Sequence, residues 1–180
     1  KGKEVFRLGL GQSPFPVAQP VVDSLKEHAS EKDYLPVKGL YPLRAAVAEF
    51  NRYTQKIDSN PEDIMIGPGS KELIFILQLV YYGDLIIPTP SWVSYSPQAK
   101  IIGRNVHWVP TKKSNNWRLS PDNLEEICKK DPDRPRVAIL NYPSNPTGYT
   151  YPTERLKKLA QVARKYNVIL VSDEIYGMIH

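Results

Sequence analysis

The residue types that best suggest chemistry lie in two polar clusters near the end of the sequence. Residues 141–148 read Asn-Tyr-Pro-Ser-Asn-Pro-Thr-Gly, and residues 172–176 read Ser-Asp-Glu-Ile-Tyr. Each cluster directly follows a short β-branched, apolar run, at residues 137–140 and 168–171 respectively. Together the clusters supply an amide, a carboxylate and a phenol, which are groups that orient a polar ligand in a pocket.

The segment between the clusters predicts how they are brought together. Residues 153–166 carry apolar side chains at helical spacing, which indicates an amphipathic helix between two strands. A right-handed crossover makes the two strands parallel. Because open α/β sheets bind their ligands at the carboxyl ends of the strands, we expect both clusters to belong to one site.

Asp173 is the carboxylate of the second cluster, and it follows four apolar strand residues, so we expect it to be partly buried. Burying a carboxylate is costly unless a cation or strong hydrogen-bond donors compensate its charge. A protonated ring nitrogen would be such a partner. Asn145 taken alone is less specific, because an Asn before Pro is most often a turn residue.

Two earlier turns add candidates for binding an anion and a planar group. Residues 67–71, Gly-Pro-Gly-Ser-Lys, lie between a predicted strand and a strongly apolar helix. Such a turn can hold an anion on backbone amides, although it is shorter than a Walker loop and an ordinary helix entry would look the same. Trp92 follows the next strand, where an aromatic ring can stack on a planar ligand or fill the core.

Strands and helices alternate along the sequence, which predicts an α/β fold with three layers, a mainly parallel sheet covered by helices on both faces. The predicted strands span residues 63–66, 84–87, 105–109, 137–140 and 168–171. The predicted helices span residues 17–29, 40–53, 71–82, 121–130 and 153–166, with a further helix bearing Tyr95. No closing helix follows the last cluster, so we expect an incomplete fold and a longer parent protein.

Composition and charge argue against several other classes of protein. Although the net charge is +5, the lysine doublets are scattered over different elements and form no basic stripe, so we expect no nucleic-acid partner. No run approaches the ~20 apolar residues of a membrane span, so we expect no membrane association. Cys128 is the only cysteine, which favours a reducing, cytoplasmic location. We also expect no metal site.

The ordered set of these motifs closely resembles the fold-type I family of pyridoxal-phosphate enzymes. The motifs are Tyr34, Gly-Ser-Lys at 69–71, Trp92, Asn-Pro-Thr-Gly at 145–148 and Asp-Glu-Ile-Tyr at 173–176. The strongest similarity is to class I and II aminotransferases of the aspartate aminotransferase type, from about residue 8 to the end. The resemblance implies that residues 1–18 contribute to a small domain and that residues 19–180 form the N-terminal part of a large cofactor domain.

The resemblance also implies roles for the residues at the carboxyl ends of the strands. Asp173 would pair with the pyridine nitrogen of pyridoxal 5'-phosphate and keep it protonated. Asn145 and Tyr176 would hydrogen-bond the 3'-oxygen of the cofactor, and Trp92 would stack on the ring.

Further roles follow from the same resemblance. Gly69, Ser70 and Lys71 would hold the cofactor phosphate. Tyr34 would reach the phosphate bound by a partner subunit, which implies a homodimer. The residues implied to border the substrate are Gly11, Trp92 and Asn145.

The implied activity is transfer of an amino group between an amino acid and a 2-oxo acid. The lysine that forms the Schiff base in this family lies beyond His180, so no catalytic residue is assigned and we expect the 180-residue chain to be inactive alone. Three alternatives stay open. The first is another pyridoxal-phosphate reaction, such as that of a β- or γ-lyase of the aminocyclopropane-carboxylate synthase type. The second is a non-catalytic cofactor-binding module. The third is a nucleotide-binding α/β domain, although the sequence lacks the glycine spacing expected of such a domain.

Overall fold

The computed structural model describes residues 2, 5, 11, 13 and 15–179. The backbone divides into two compact units, residues 1–65 and residues 66–180. This division does not test the boundary that the resemblance places after residue 18, which stays a prediction. Each unit is described by itself below.

The described residues of the first unit form two helices, α1 (Gln19–Glu27) and α2 (Tyr41–Gln55), followed by a 3-10 turn at Pro61–Asp63. Arg44 of α2 is buried, and its Nη1 donates to the Pro61 carbonyl at 2.8 Å and to Glu62 Oε1 at 3.2 Å. This arginine therefore joins the long helix to the turn. Proline within the first two positions of each helix suits a helix start, because these positions need no backbone donor.

The predicted strand at residues 63–66 is wrong. Asp63 closes the 3-10 turn, Ile64 is extended, and residues 64–66 form no strand in the part of the chain that the structure describes. A short apolar run forms a strand only when a neighbouring strand takes up its backbone hydrogen bonds. No such neighbour is described here, so the run stays irregular.

The second unit contains a four-stranded parallel sheet with the order β2-β1-β3-β4. The strands are β1 (Asp84–Thr89), β2 (Val106–Pro110), β3 (Arg136–Asn141) and β4 (Val168–Asp173). The two central strands, β1 and β3, are buried along most of their length. This burial on both faces explains why their sequences are continuous apolar runs rather than alternating ones.

Helices cover both faces of the sheet, as the sequence predicted. On one face α3 (Ser70–Val80) and α4 (Tyr95–Ile101) share a core with Leu85 and Ile139, which are less than 2% exposed. On the other face α5 (Pro121–Lys129) and α6 (Thr153–Lys165) share a second core with Ile86 and Ala138. Successive strand residues thus enter opposite cores, as strand geometry requires. The three-layer α/β fold is confirmed.

Candidate active site

The two polar clusters lie side by side at the carboxyl ends of β3 and β4. Asn141 and Asp173 are partners in the strand register, and the Asn141 amide nitrogen donates to the Asp173 carbonyl at 2.9 Å. Asn141 Oδ1 in turn accepts the backbone N–H of Asn145 at 2.7 Å. One asparagine therefore fixes the end of β4 and the start of the Asn145 loop together.

A pocket of about 110 Å³ opens at this edge of the sheet. Four of the predicted cofactor-binding residues line it on the strand side and one on the helix side. Its lining residues are Ser70, Trp92, Tyr95, Asn141, Asn145, Asp173, Ile175 and Tyr176. A more open apolar groove shares Ser70, Asp173 and Ile175 with this pocket and continues along α3, so the space beside the start of α3 is continuous.

Asp173 lines the pocket and is only 7% exposed. The Tyr95 hydroxyl donates to its Oδ2 at 2.5 Å, and the Ile175 N–H donates to its Oδ1 at 3.3 Å. Within the described part of the chain, no lysine, arginine or histidine forms an ion pair with this carboxylate. A buried carboxylate with two neutral donors and no cation suits a ligand that brings a positive charge.

Tyr95 is 2% exposed and lies on the first turn of α4. Burial, together with the hydrogen bond to Asp173 and its negative charge, raises the pKa of the Tyr95 hydroxyl far above its usual value. The phenol therefore keeps its proton throughout the neutral range and always acts as the donor to Asp173. Its ring meets the Trp92 ring edge-on, with the centroids 5.2 Å apart.

The predicted phosphate turn is the start of α3. Gly69 precedes the helix with φ 151° and ψ 155°, a conformation that side chains with a Cβ rarely adopt. No side chain caps the helix among the described residues, and Ser70 lines the pocket. The amides of Glu72 and Leu73 donate to the Gly69 carbonyl, whereas those of Ser70 and Lys71 have no partner among the described residues. These two amides are thus left for an anion, which the positive end of the helix dipole also favours.

Lys71 does not line the pocket as the structure describes it. Its Nζ lies 5.3 Å from the centroid of the Trp92 ring, in a cation–π contact that joins the first turn of α3 to the aromatic residue. On the other side of the pocket, Asn145 Nδ2 and the Tyr176 hydroxyl are 3.4 Å apart. That separation is long for a hydrogen bond, so both groups remain available to a ligand oxygen.

Tyr34 and Gly11 belong to the first unit, and both are exposed there. The role of Tyr34 at a partner's site and the role of Gly11 beside the substrate stay predictions, as do the individual roles of the pocket residues.

Sequence reasoning missed two residues of this site, Tyr95 and Asn141. The sequence predicts a helix for Tyr95 but gives it no role, because its partner Asp173 is 78 positions away. Asn141 belongs to the first polar cluster, but its place opposite Asp173 follows from the register of β3 with β4, which the sequence alone does not give.

A parallel α/β sheet with a polar pocket at its carboxyl edge defines a ligand-binding domain of the kind that the motifs predicted. The model of the family "Aminotransferase class I and II" matches residues 3–179. The chain therefore belongs to the class I and II aminotransferase family. The predicted family is therefore confirmed. Its aspartate aminotransferase relatives are pyridoxal-phosphate enzymes, which confirms the predicted cofactor as the cofactor of this family.

Individual relatives agree with this assignment. The chain is 33% identical to the aspartate aminotransferase of Bacillus subtilis over 97% of its own length and 45% of that protein. It is 34% identical to the LL-diaminopimelate aminotransferase of Aquifex aeolicus, over 100% of this chain and 48% of the relative. The chain thus spans about half the length of the curated relatives that it matches.

Solved structures show the same fold. The aspartate aminotransferase of Rhizobium meliloti superposes with a TM-score of 0.85 at 29% identity, covering 96% of this chain and 44% of that one. The aromatic aminotransferase of Pyrococcus horikoshii superposes with a TM-score of 0.81 at 31% identity, covering 93% and 46%.

The residues that the structure describes contain neither a membrane-spanning helix nor a cluster of metal ligands. None of the described helices is long and apolar enough to cross a membrane. No group of three or more His, Cys, Asp or Glu side chains in the same residues is placed to hold a metal ion.

Proposed function

We propose that the full-length protein is a pyridoxal-phosphate-dependent aminotransferase that transfers an amino group between an amino acid and a 2-oxo acid. The observation that carries this proposal is the buried carboxylate of Asp173, which faces the pocket with two neutral donors and no cation. A protonated ring nitrogen would supply the missing positive charge. Membership of the aminotransferase family supports the same reaction class.

The pocket residues fit this cofactor at both of its ends. Asp173 would hold a proton on the ring nitrogen, because a neighbouring negative charge favours the protonated form. Asn145 and Tyr176 would donate to a ring oxygen between them. At the other end, Ser70 and the uncapped amides of α3 would hold the phosphate. When bound, the cofactor supplies an electron sink that stabilises a carbanion next to the amino nitrogen.

Trp92 would limit one side of the ring. Its own position is held by Tyr95 on one edge and by Lys71 over its face. A rigidly placed aromatic ring favours one ligand orientation at little entropic cost. The pocket thus has a polar end, an aromatic wall and an anion-binding end.

We further propose aspartate as an amino donor, in a homodimeric, cytoplasmic enzyme. The substrate proposal is supported by the relatives named aspartate aminotransferase, including that of Bacillus subtilis. The dimer proposal is supported by the full exposure of Tyr34, a large phenol that would gain a partner at a neighbouring subunit.

The experiment uses the purified full-length protein with added pyridoxal 5'-phosphate. We expect aspartate and 2-oxoglutarate to give oxaloacetate and glutamate at equal rates, with no turnover when either substrate is omitted. A lyase would instead release product and ammonia from a single amino acid without an oxo-acid acceptor. Acceptor-independent turnover would therefore overturn the proposal in favour of the lyase alternative, and no turnover with bound cofactor would favour a binding module.

A further inference from the structure

Helix α4 contacts Asp173 of the pocket and the first turn of α3 through two buried side chains one turn apart. Tyr95 donates to Asp173, on the side proposed for the ring nitrogen. Gln98 is 8% exposed, and its Nε2 donates to the Lys71 carbonyl at 2.8 Å, in the first turn of α3. Residues three apart on a helix lie on the same face, so α4 joins the carboxylate to the start of α3.

Gln98 is itself oriented by a second buried amide. Gln78 of α3 is 3% exposed, and its Nε2 donates to Gln98 Oε1 at 3.0 Å and to the Ile74 carbonyl at 3.3 Å. Gln78 Oε1 has no hydrogen-bond partner among the described residues. With its oxygen occupied by Gln78, the Gln98 amide is held with its nitrogen directed at the Lys71 carbonyl.

This amide pair is an unusual way to fill a core. Two buried amides cost desolvation, and one acceptor stays without a partner. The core that α3 and α4 share is otherwise apolar, with Ile74 and Ala99 among its residues. A pair of apolar residues of the same shape as the two glutamines would fill their space at comparable stability. Unlike apolar packing, the hydrogen bond from Gln98 fixes the position of the Lys71 carbonyl that accepts it.

We propose that Gln98 is a positioning residue that holds the first turn of α3 where the cofactor phosphate binds. The inference rests on the proposed function, since it assigns the phosphate to the start of α3. Through Tyr95 and Gln98 together, α4 fixes the distance between the residue that pairs with the ring nitrogen and the amides that hold the phosphate. Removing the Gln98 bond loosens the phosphate end alone.

The test compares two ligands of the full-length apoprotein, pyridoxal 5'-phosphate and pyridoxal, which lacks the phosphate. The variant Gln98→Met keeps the length of the side chain and removes the donor. We expect its Kd for pyridoxal 5'-phosphate to rise roughly threefold to tenfold, as for one lost hydrogen bond, while its Kd for pyridoxal stays within about twofold. Gln98→Asn keeps an amide on a side chain that is too short to reach Lys71. It should likewise raise the Kd for pyridoxal 5'-phosphate relative to the Kd for pyridoxal.

The matched control is Ile86→Val, a mild truncation in the core on the opposite face of the sheet. It should lower the melting temperature of the apoprotein and leave the ratio of the two Kd values unchanged. If Gln98→Met and Gln98→Asn lower the melting temperature but leave that ratio at the parent value, Gln98 only packs the core and the inference is wrong. An equal loss of affinity for both ligands would also contradict it.

Failure of the proposed function has a different signature. A parent protein that binds neither ligand would overturn the cofactor assignment itself, whatever the variants do. A parent that prefers pyridoxal 5'-phosphate, with variants that keep the full preference, would refute only the role of Gln98.

Discussion

The Tyr95 hydroxyl lies 2.5 Å from Oδ2 of Asp173, and this hydrogen bond links the first turn of α4 to the last residue of β4. Both residues are buried, and Tyr95 also supports the edge of Trp92. The Asp173 carboxylate is thus held by Tyr95, which lies outside the sequence motifs that predicted the site. A single phenol thus contacts Asp173 and Trp92, two of the side chains proposed to contact the cofactor ring.

Tyr95→Phe should keep the fold and weaken the cofactor site. The ring would still pack against Trp92, but Asp173 would lose its closest donor. Since hydrogen bonds to charged groups are worth about 1.5–3 kcal/mol, we expect affinity for pyridoxal 5'-phosphate to fall by about tenfold to a hundredfold. Fluorescence titration of the apoprotein measures this. Tyr166→Phe, which removes a phenol from the end of α6, is the control, and an equal effect of both variants would contradict the prediction.

Asp84 should make stability depend on acid pH at the opposite end of the sheet. Burial alone would raise the pKa of its carboxyl, but hydrogen bonds from Arg134, His107 and Asn105 outweigh this and lower the pKa to about 2. Because the folded-state pKa is depressed, the stabilisation is present above about pH 4 and is lost as pH falls toward 2.

Asp84→Asn removes that contribution. We expect a loss of about 2 kcal/mol at neutral pH, from a shift of nearly two pKa units, and little difference from the parent near pH 2. Thermal melting of the full-length protein at pH 7, 4 and 2.5 measures the difference. A variant that melts with the parent at pH 7 would show that the cluster contributes nothing.

Gly69→Ala should disturb the phosphate end of the site. The backbone of Gly69, with φ 151°, costs about 1–3 kcal/mol for a residue with a Cβ, so the turn before α3 must move. We expect weaker binding of pyridoxal 5'-phosphate together with a lower melting temperature. Gly103→Ala introduces a Cβ at φ 70° between α4 and β2, and it should lower stability without changing cofactor affinity. Unchanged affinity in the Gly69 variant would argue against this turn as the phosphate site.

The sequence predicted the sheet well because its central strands are buried on both faces and therefore read as apolar runs. The predicted strands at 137–140 and 168–171 are each longer in the structure, ending at Asn141 and Asp173. Backbone pairing continues into these polar residues, and hydrophobic patterning cannot indicate that extension. The strand expected at residues 63–66 is absent from the structure. An apolar run in a sequence does not show whether a partner strand is present.

The polar clusters of the site could also be predicted, since crossover rules place strand ends together. Tyr95 could not, because its contact with Asp173 depends on how α4 packs on the sheet. The same holds for Gln78 and Gln98, whose buried amides look like ordinary polar helix residues in the sequence. Tertiary packing determines these contacts, and short-range patterns carry no signal for them.

The full-length protein should be a homodimer. Tyr34 is fully exposed in the single chain, and the resemblance assigns it to the phosphate of a neighbouring subunit. We expect light scattering to give twice the mass of the full-length polypeptide, and Tyr34→Phe to weaken cofactor binding without dissociating the dimer. A fully active monomer would rule out this assignment.

Asp173 tests the central claim most directly, because its carboxylate is proposed to serve the cofactor more than the core. In full-length Asp173→Asn the fold should be kept, since an amide can still accept from Tyr95, but the compensating negative charge would be gone. We predict that turnover with aspartate and 2-oxoglutarate falls by at least about a hundredfold, as for a lost charge-assisted bond of about 3 kcal/mol, with a melting temperature close to that of the parent. Near-normal turnover in this variant, or a loss of turnover fully explained by unfolding, would contradict the account.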